Sequence, residues 1–291
     1  MPTRTISQGF DTFHRKITPG SYESGKASSH KNSITRRLED YFDLKQLFYS
    51  GSANNGTSVS YLSDVDFFAK IPTNKLKENS SSSLREIKEC LQGRYPSTPV
   101  YVDSPAVVLD FGGGVWDTAE VIPADYVGTK DSKNVYDIPD GSGGWMRSSP
   151  SLHNSYVTAE NNRLGKKLKP LIRFLKAWKY YCNVPISSFY LELRATKWME
   201  SEDSIVYDID LKTILKKLED SGLAAIQDPK GVSGYVNACS SDVKKKDALS
   251  KLSTARVRAE KARDAENSGN TRVAFEWWDK VFAGNFPSYY C

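Results

Sequence analysis

Two aspartates separated by one residue are the side chains in this sequence best placed to do chemistry. Asp64 and Asp66 lie in residues 57–71, whose valines and phenylalanines predict extended structure. Because alternate residues of a strand share a face, both carboxylates could hold one or two divalent cations. Such hard oxygen ligands favour magnesium or manganese, which usually coordinate substrate phosphates as well. The pair therefore predicts metal-dependent phosphoryl chemistry.

The aspartate pair is weak evidence by itself, because Asp208 and Asp210 repeat its spacing. That second pair lies at an expected helix start, where acidic side chains favour the helix dipole. The first pair differs because a Gly51–Ser52 turn precedes it, at the end of a predicted helix. In a small turn of this kind, backbone N–H groups and the Ser52 hydroxyl can approach phosphate oxygens closely. The combination predicts a phosphate-binding turn beside a metal site.

Residues 51–66 resemble the signature of the polymerase-β-type nucleotidyltransferases, through Gly51–Ser52 followed by Gly-Thr-x-Val-x-x-x-Ser-Asp-Val-Asp. More narrowly, they resemble the branch that contains oligoadenylate synthetase, cyclic GMP–AMP synthase and the bacterial CD-NTases of antiphage (CBASS-type) signalling. The resemblance extends roughly over residues 31–289. It implies a polymerase-β-like core, with Asp64 and Asp66 as catalytic metal ligands and Gly51 and Ser52 as nucleotide-binding residues.

The family places a third metal-binding carboxylate on a later strand, in a segment that ends Val-x-Pro-Ala. Residues 119–124 match that segment and assign the role to Glu120, although most members carry aspartate there. Asp110, on the preceding predicted strand, is the competing candidate. The resemblance thus implies Mg²⁺ (or Mn²⁺) held by Asp64, Asp66 and Glu120, and attack of a ribose hydroxyl on the α-phosphate of a nucleoside triphosphate.

The second half of the chain contains three residues that the resemblance implies in nucleotide binding. Lys176 lies in a helix that sends a lysine to the donor triphosphate, and Ser188 would contact phosphate. Phe189 would stack on the donor base, which contributes ~1–3 kcal/mol and tolerates different bases. The residues alone allow two other interpretations: Lys176 lies on a solvated helix face, and Phe189 is a core residue.

Composition narrows the class of protein. The chain has 291 residues, 39% hydrophobic and 26% charged, so a packed core is expected. A net charge of +5 argues against a strong nucleic-acid surface. Four scattered cysteines (Cys90, Cys182, Cys239 and Cys291) argue against a zinc site or a disulfide framework. We expect a cytoplasmic protein, because no signal peptide or membrane-spanning run is present.

The order of predicted elements indicates an α+β fold. A helix is predicted from about Lys31 to Gly51, then a strand over 57–71, and a hairpin of 106–111 and 118–126 joined by three glycines. Residues 137–150 are predicted to form a loop. Helices are predicted over residues 162–181, 187–198, 210–220, 242–268 and 272–282. We therefore expect a catalytic core with an N-terminal helix in residues 1–160, and a helical domain in 161–291 that completes the cleft.

The predicted activity is the synthesis of cyclic (or linear) oligonucleotide second messengers from ATP and/or GTP, UTP and CTP, with release of pyrophosphate. Cyclisation is implied by the resemblance, whereas the residue chemistry supports nucleotidyl transfer alone. Two alternatives are the transfer of one nucleotide to a protein or RNA, and a catalytically silent nucleotide-binding module. Residues 286–291 are a candidate docking segment for a regulatory protein, with a conjugation tail or a plain chain end as the alternatives.

Overall fold

The chain folds into two compact units in the computed structural model, which describes residues 2–290. The sheet unit contains residues 19–156 and 230–233, and the helical unit contains residues up to 18, 157–229 and those from 234 onward. The predicted division at 160/161 therefore needs correction at the N-terminus, where the first helix belongs to the helical unit. Together they form the α+β fold predicted from the sequence.

The sheet unit is built on a seven-stranded sheet. The strands are β1 (Gln46–Tyr49), β2 (Val65–Lys70), β3 (Val100–Asp103), β4 (Ala106–Asp110), β5 (Thr118–Lys130), β6 (Lys133–Pro139) and β7 (Trp145–Ser148). Five of them lie in the order β1-β2-β5-β4-β3, with β2 and β5 parallel and the other neighbours antiparallel. The helices of this part are α2 (Ser21–Phe42), α3 (Gly51–Asn55) and α4 (Ser80–Arg94), followed by α5 (Pro150–Arg163), which begins in it.

The two faces of this sheet have different chemistry, which follows from the alternation of side chains along each strand. One face packs against α2 and α4 through buried residues such as Phe67, Leu109 and Val121. The opposite face carries a smaller apolar cluster that includes Phe68 and Ile122. The candidate catalytic carboxylates lie on this second face, beyond the end of its apolar cluster.

The helical unit is held together by aromatic packing. Phe10 and Phe13 of α1 (Ile6–Lys16) are fully buried and lie against Phe174, Trp278 and Phe282. This packing explains why α1 joins the helical unit. The remaining elements are α6 (Leu168–Tyr181), α7 (Ser188–Met199), α8 (Tyr207–Asp220), β8 (Ile226–Gln227), β9 (Tyr235–Val236), α9 (Asp242–Asn267) and α10 (Thr271–Val281). Among residues 2–290, no helix is sufficiently long and apolar to cross a membrane.

Several predicted elements are confirmed and others are wrong. The glycine-linked hairpin is present as β4 and β5. The helix predicted to reach Gly51 instead ends at Phe42, and β1 follows. The strand predicted over 57–71 begins only at Val65, after a turn. Residues 137–150 are not a loop throughout, since β6 and β7 pair there. The helix predicted over 162–181 ends as predicted but begins only at Leu168, because Gly165 and Lys166 both have positive φ and separate it from α5.

Candidate active site

The Gly51–Ser52 turn is built against Asp66. The amide of Ser50 donates to the carbonyl oxygen of Asp66 at 2.9 Å, which joins the end of β1 to β2. Gly51 has φ +50°, and a Cβ on it would lie 1.9 Å from Oδ2 of Asp66. Only glycine avoids both this clash and the backbone strain. The turn is therefore held in contact with one of the two predicted metal ligands.

A hydrogen-bonded loop leads from the turn to Asp64. The hydroxyls of Ser52 and Ser58 lie 3.0 Å apart, and the amide of Thr57 donates to the carbonyl of Ser52 at 3.0 Å. Further on, the buried hydroxyl of Ser63 accepts from the amide of Val59 at 2.9 Å. These contacts explain why the segment is a closed turn rather than the predicted strand. They fix Asp64 immediately before β2.

Asp66 and Glu120 lie directly opposite each other on the parallel strands β2 and β5. Asp64 precedes Asp66 by two residues and shares its side of the chain. Burial, then the charges of Asp64 and Asp66, raise the pKa of Glu120 to about 9. A hydrogen bond between Glu120 and Asp64 adds to this shift. The structure thus brings together the three predicted carboxylates, close enough for one of them to retain a proton.

Asp110, the competing candidate, has a different environment. It pairs with Thr118, two residues before Glu120 on β5, and its Oδ1 accepts from the amide of Gly112 at 2.9 Å. That hydrogen bond closes the hairpin loop. Glu120 has the position beside Asp66, so the geometry favours Glu120 as the third carboxylate. Asp103, at the end of β3, also contributes to the raised pKa of Glu120 and was not predicted from the sequence.

Three crowded carboxyl groups are a suitable donor set for a hard divalent cation, because its charge would replace the proton that Glu120 keeps. Within residues 2–290, however, no group of three or more histidine, cysteine, aspartate or glutamate side chains is arranged so that it could hold a metal ion by itself. Magnesium is commonly bound by one or two carboxylates together with substrate phosphates and water. The donor set fits an ion that arrives with its nucleotide.

Lys176 does not have the environment predicted for it. Its side chain is fully buried in the helical unit, and its Nζ lies 2.9 Å from Oε1 of Glu192 on α7. An ammonium group without exposed surface, already paired with a carboxylate, is not positioned to receive a triphosphate. This corrects the assignment of Lys176 as the phosphate-binding lysine and also the interpretation that it lies on a solvated helix face.

Lys179, three residues later on α6, contacts Ser188, one of the predicted nucleotide-binding residues. Its Nζ donates to the hydroxyl of Ser188 at 2.7 Å, and the hydroxyl of Tyr180 lies 3.4 Å from the same oxygen. Ser188 is the first residue of α7, and Phe189 beside it is half-buried. The sequence contained a signal for Lys179, since it belongs to the same lysine-rich helix. Its contact with Ser188 depends on how α6 and α7 pack.

The candidate docking segment at the C-terminus is held against the start of the chain. Phe286 is buried, and Arg4 donates through Nη1 to the carbonyl oxygens of Ser288 at 2.7 Å and Tyr290 at 2.6 Å. Thr3 and Tyr290 also form an antiparallel bridge. The segment is therefore packed as far as Tyr290. Cys291, included in the same prediction, lies outside the described residues.

Comparison with known families decides the classification. Residues 4–161 match the family described as the Second Messenger Oligonucleotide or Dinucleotide Synthetase domain, or SMODS, which is more than half of the chain. The chain belongs to this family. The recognition from the glycine–serine turn and aspartate pair is confirmed, as is the assignment of this SMODS protein to the nucleotidyltransferases that synthesise cyclic oligonucleotides.

Relatives of this SMODS chain include a probable cyclic nucleotide synthase of Bacillus cereus, 26% identical, in an alignment that covers 94% of this chain and 85% of the relative. Among solved structures, Vibrio cholerae DncV cyclic AMP-GMP synthase in complex with a linear intermediate has a TM-score of 0.77 at 13% identity, covering 99% of this chain and 98% of that one. Escherichia coli CdnC with ATP has a TM-score of 0.73 at 19% identity, with 97% and 98% covered.

These structural similarities concern the fold alone, because the identities are low. They confirm the predicted α+β fold, with a nucleotidyltransferase core and a helical C-terminal part, over nearly the whole SMODS chain. CdnC has also been solved in complex with a protein named HORMA-deltaN.

Proposed function

We propose that this protein joins nucleoside triphosphates through phosphodiester bonds and closes the product into a cyclic oligonucleotide that acts as a second messenger in antiphage signalling. One observation carries the proposal: Asp66 opposes Glu120 on neighbouring parallel strands while Gly51 contacts the same aspartate. A site with this arrangement can hold a donor triphosphate beside a divalent cation. Family membership and the names of the relatives favour a cyclic product.

In the proposed reaction, a ribose hydroxyl of one nucleotide attacks the α-phosphorus of another. A bond forms between the ribose oxygen and the α-phosphorus, and the bond to the bridging oxygen of the β-phosphate breaks. Pyrophosphate leaves, and the hydroxyl proton is released to solvent. Repetition lengthens the product. The ring closes when the terminal ribose hydroxyl attacks the α-phosphorus at the other end of the same molecule, which breaks the bond to the bridging oxygen and releases a further pyrophosphate and a proton.

The side chains have separate tasks in this proposal. Asp64, Asp66 and Glu120 would hold magnesium or manganese, and Glu120 would release its proton to the solvent on binding the cation. When bound, the cation lowers the pKa of the attacking hydroxyl and neutralises charge on the leaving pyrophosphate. Gly51 and Ser52 approach the donor phosphates with a backbone amide and a hydroxyl.

The helical unit provides the other nucleotide contacts that we propose. Lys179 and Ser188 donate to phosphate oxygens, in a pair already joined at 2.7 Å. Phe189 stacks on the donor base, which is compatible with its partial exposure. Nucleoside triphosphates and magnesium are both available in the cytoplasm, and we place the reaction there. We also propose a regulatory protein as a partner, because CdnC has been solved in complex with a second protein, named HORMA-deltaN.

The test is to incubate the purified protein with the four nucleoside triphosphates and magnesium or manganese, then treat the mixture with phosphatase. A small, phosphatase-resistant product is expected. Label found only in protein or RNA would support transfer to a macromolecule, and no turnover of any triphosphate would support a silent module. The double variant Asp64→Asn with Asp66→Asn should form no product, and persistent synthesis would overturn the site.

Docking at the C-terminus has its own test, which uses variants that end before residue 286 or before residue 291. Deletion of the packed segment should destabilise the helical unit, because the buried Phe286 and the carbonyl partners of Arg4 are lost. If a regulatory protein docks there, removal of Cys291 or replacement of the exposed Tyr290 side chain by alanine should weaken its binding without a change in basal turnover. Unchanged binding by both variants would remove the C-terminus from the proposal.

A further inference from the structure

The edge strand β3 presents two exposed side chains on the face of the sheet that carries the catalytic carboxylates. Tyr101 pairs with Val108 on β4, and Val108 pairs with Glu120 on β5. Residues directly opposite each other in a sheet share a face. Asp66, Glu120, Val108 and Tyr101 therefore form one row across four strands. Asp103 lies two residues after Tyr101, on the same face.

Both side chains are accessible. Tyr101 is 48% exposed, although it is a large aromatic residue, and Asp103 is also exposed. Among the described residues, neither side chain makes a hydrogen bond or an ion pair. The row places the Cα of Tyr101 two strand spacings, or ~10 Å, from that of Glu120. A ring and a carboxylate are thus available on the catalytic face, a short way beyond the metal ligands.

The order of the strands indicates which substrate would pass over them. Gly51 and Ser52 follow β1 and contact Asp66 from that side, so the phosphates that leave lie toward β1. In an in-line displacement, the attacking and leaving oxygens lie on opposite sides of the phosphorus. The acceptor nucleotide must therefore approach from the side of β5, β4 and β3. This step rests on the proposed function of the site.

We propose that Tyr101 and Asp103 bind the base of the acceptor nucleotide. Tyr101 stacks on the base, because an exposed phenol ring offers a flat apolar surface to any nucleobase. Asp103 accepts a hydrogen bond from an exocyclic amino group, as acidic side chains do with amino groups of bases. The pair selects acceptors that carry such a group, namely adenine, guanine or cytosine nucleotides over uridine nucleotides.

The chain offers a matched control on the same strand. Val102 lies between Tyr101 and Asp103, is 42% exposed, and faces the opposite side of the sheet, where it pairs with Val107. Variants Tyr101→Ala, Tyr101→Phe and Asp103→Asn can be compared with Val102→Ala, each checked for folding by its thermal melt. Every substituted position is solvent-accessible, so no fully buried side chain is removed.

Donor and acceptor roles can be separated with two nucleotide analogues. A 2′,3′-dideoxynucleoside triphosphate has no ribose hydroxyl and can only donate. A triphosphate with a methylene group between its α- and β-phosphates cannot release pyrophosphate and can only accept. Together the two analogues allow only a single transfer, which is measured by the pyrophosphate released. Varying one analogue while the other is saturating gives a separate KM for donor and acceptor.

We expect Tyr101→Ala to raise the acceptor KM roughly tenfold while the donor KM changes little. Tyr101→Phe should resemble the unaltered protein. Asp103→Asn should reduce the preference for guanosine over inosine acceptors and for adenosine over purine riboside acceptors. An unchanged acceptor KM in Tyr101→Ala, or an equal effect of Val102→Ala, would overturn the inference.

Binding of the acceptor analogue by calorimetry distinguishes failure of this inference from failure of the proposed function. If the unaltered protein releases no pyrophosphate from any pair, the proposed transfer is wrong, and the binding measurement still tests Tyr101 and Asp103. If the protein turns over and the variants bind the acceptor normally, the function stands and this base site does not exist.

Discussion

Gly51 and Asp66 are so close that the space for a side chain on the glycine is filled by the carboxylate. A Cβ at position 51 would lie 1.9 Å from Oδ2 of Asp66 and 2.8 Å from its Cγ. Both atoms belong to the side chain proposed to hold the metal. The glycine of the signature therefore has a steric role in the site, in addition to its backbone conformation.

Gly51→Ala should consequently abolish turnover while the protein remains folded. The new methyl group must displace the Asp66 carboxylate, and we expect kcat to fall by at least about 100-fold, since several kcal/mol of charge stabilisation depends on that ligand. Pyrophosphate release measures the effect, and circular dichroism measures folding.

Gly56→Ala is the matched control for this substitution. Gly56 has φ +66°, and apart from atoms of the adjoining backbone and chain neighbours nothing lies within 4 Å of the position that a Cβ would occupy, so alanine there meets similar backbone strain without a clash. It should cost about 1–2 kcal/mol of stability and leave kcat nearly unchanged. Equal loss of turnover in both variants would show that backbone strain, rather than contact with Asp66, explains the glycine.

Glu120 predicts how metal binding depends on pH. Its pKa is raised to about 9, so its carboxyl group is protonated at neutral pH before a cation binds. Proton and metal compete, so the apparent affinity for Mn²⁺ should rise with pH and level off above about pH 9. Calorimetry at pH 7 in buffers of different ionisation enthalpy should detect roughly one released proton per protein.

Substitutions at Glu120 and Asp110 complete that experiment. Glu120→Gln should remove the proton release and reduce turnover by more than about 100-fold. Asp110→Asn alters a carboxylate on the same face of the sheet, one that closes the hairpin by accepting from the amide of Gly112. This variant should retain both the proton release and the turnover of the unaltered protein. The reverse outcome would assign the third carboxylate to Asp110.

The sequence predicted the local parts of the site better than the parts that depend on packing. Gly51, Asp64 and Asp66 are linked by a short loop, so their spacing is sufficient. Leu47 and Phe48 fit a helix as well as a strand in the sequence pattern. They form a strand because they pair with β2, a contact between segments distant in sequence that the local pattern does not contain. The prediction for Lys176 was wrong for the same reason: its burial depends on Glu192, which is contributed by a different helix.

Substitution of Lys176 should therefore affect stability, whereas substitution of Lys179 should affect binding of the donor nucleotide. Lys179→Ala should raise the KM for the donor by about 10- to 100-fold, because a charge-assisted hydrogen bond to phosphate is lost, with little change in stability. Lys176→Ala should destabilise the protein by about 3–5 kcal/mol, since the buried Glu192 carboxylate loses its ion pair with Lys176.

A double variant separates loss of the buried pair from loss of a substrate contact. Lys176→Met with Glu192→Leu replaces both charges by apolar groups of similar volume and should restore most of the stability. The turnover of the folded double variant should equal that of the unaltered protein. A stable double variant with the donor KM raised as in Lys179→Ala would show that Lys176 does contact phosphate.

His14 should make the helical unit sensitive to mild acid. Burial, then the charge of Arg173, lowers the pKa of His14 to about 4, with smaller effects from Asp11 and Arg15. Its Nε2 accepts from Nη1 of Arg173, which requires a neutral ring. The folded state therefore gains stability above the unfolded pKa of 6.5, and this gain is lost as pH falls from 6.5 to about 4. Because His14 is partly exposed, screening reduces the loss to about 1–2 kcal/mol.

Urea denaturation should show this loss of stability as a difference between the unaltered protein and His14→Gln, which keeps a hydrogen-bond acceptor but does not titrate. Parallel pH profiles for the two proteins would mean that the contact between His14 and Arg173 does not determine stability in acid.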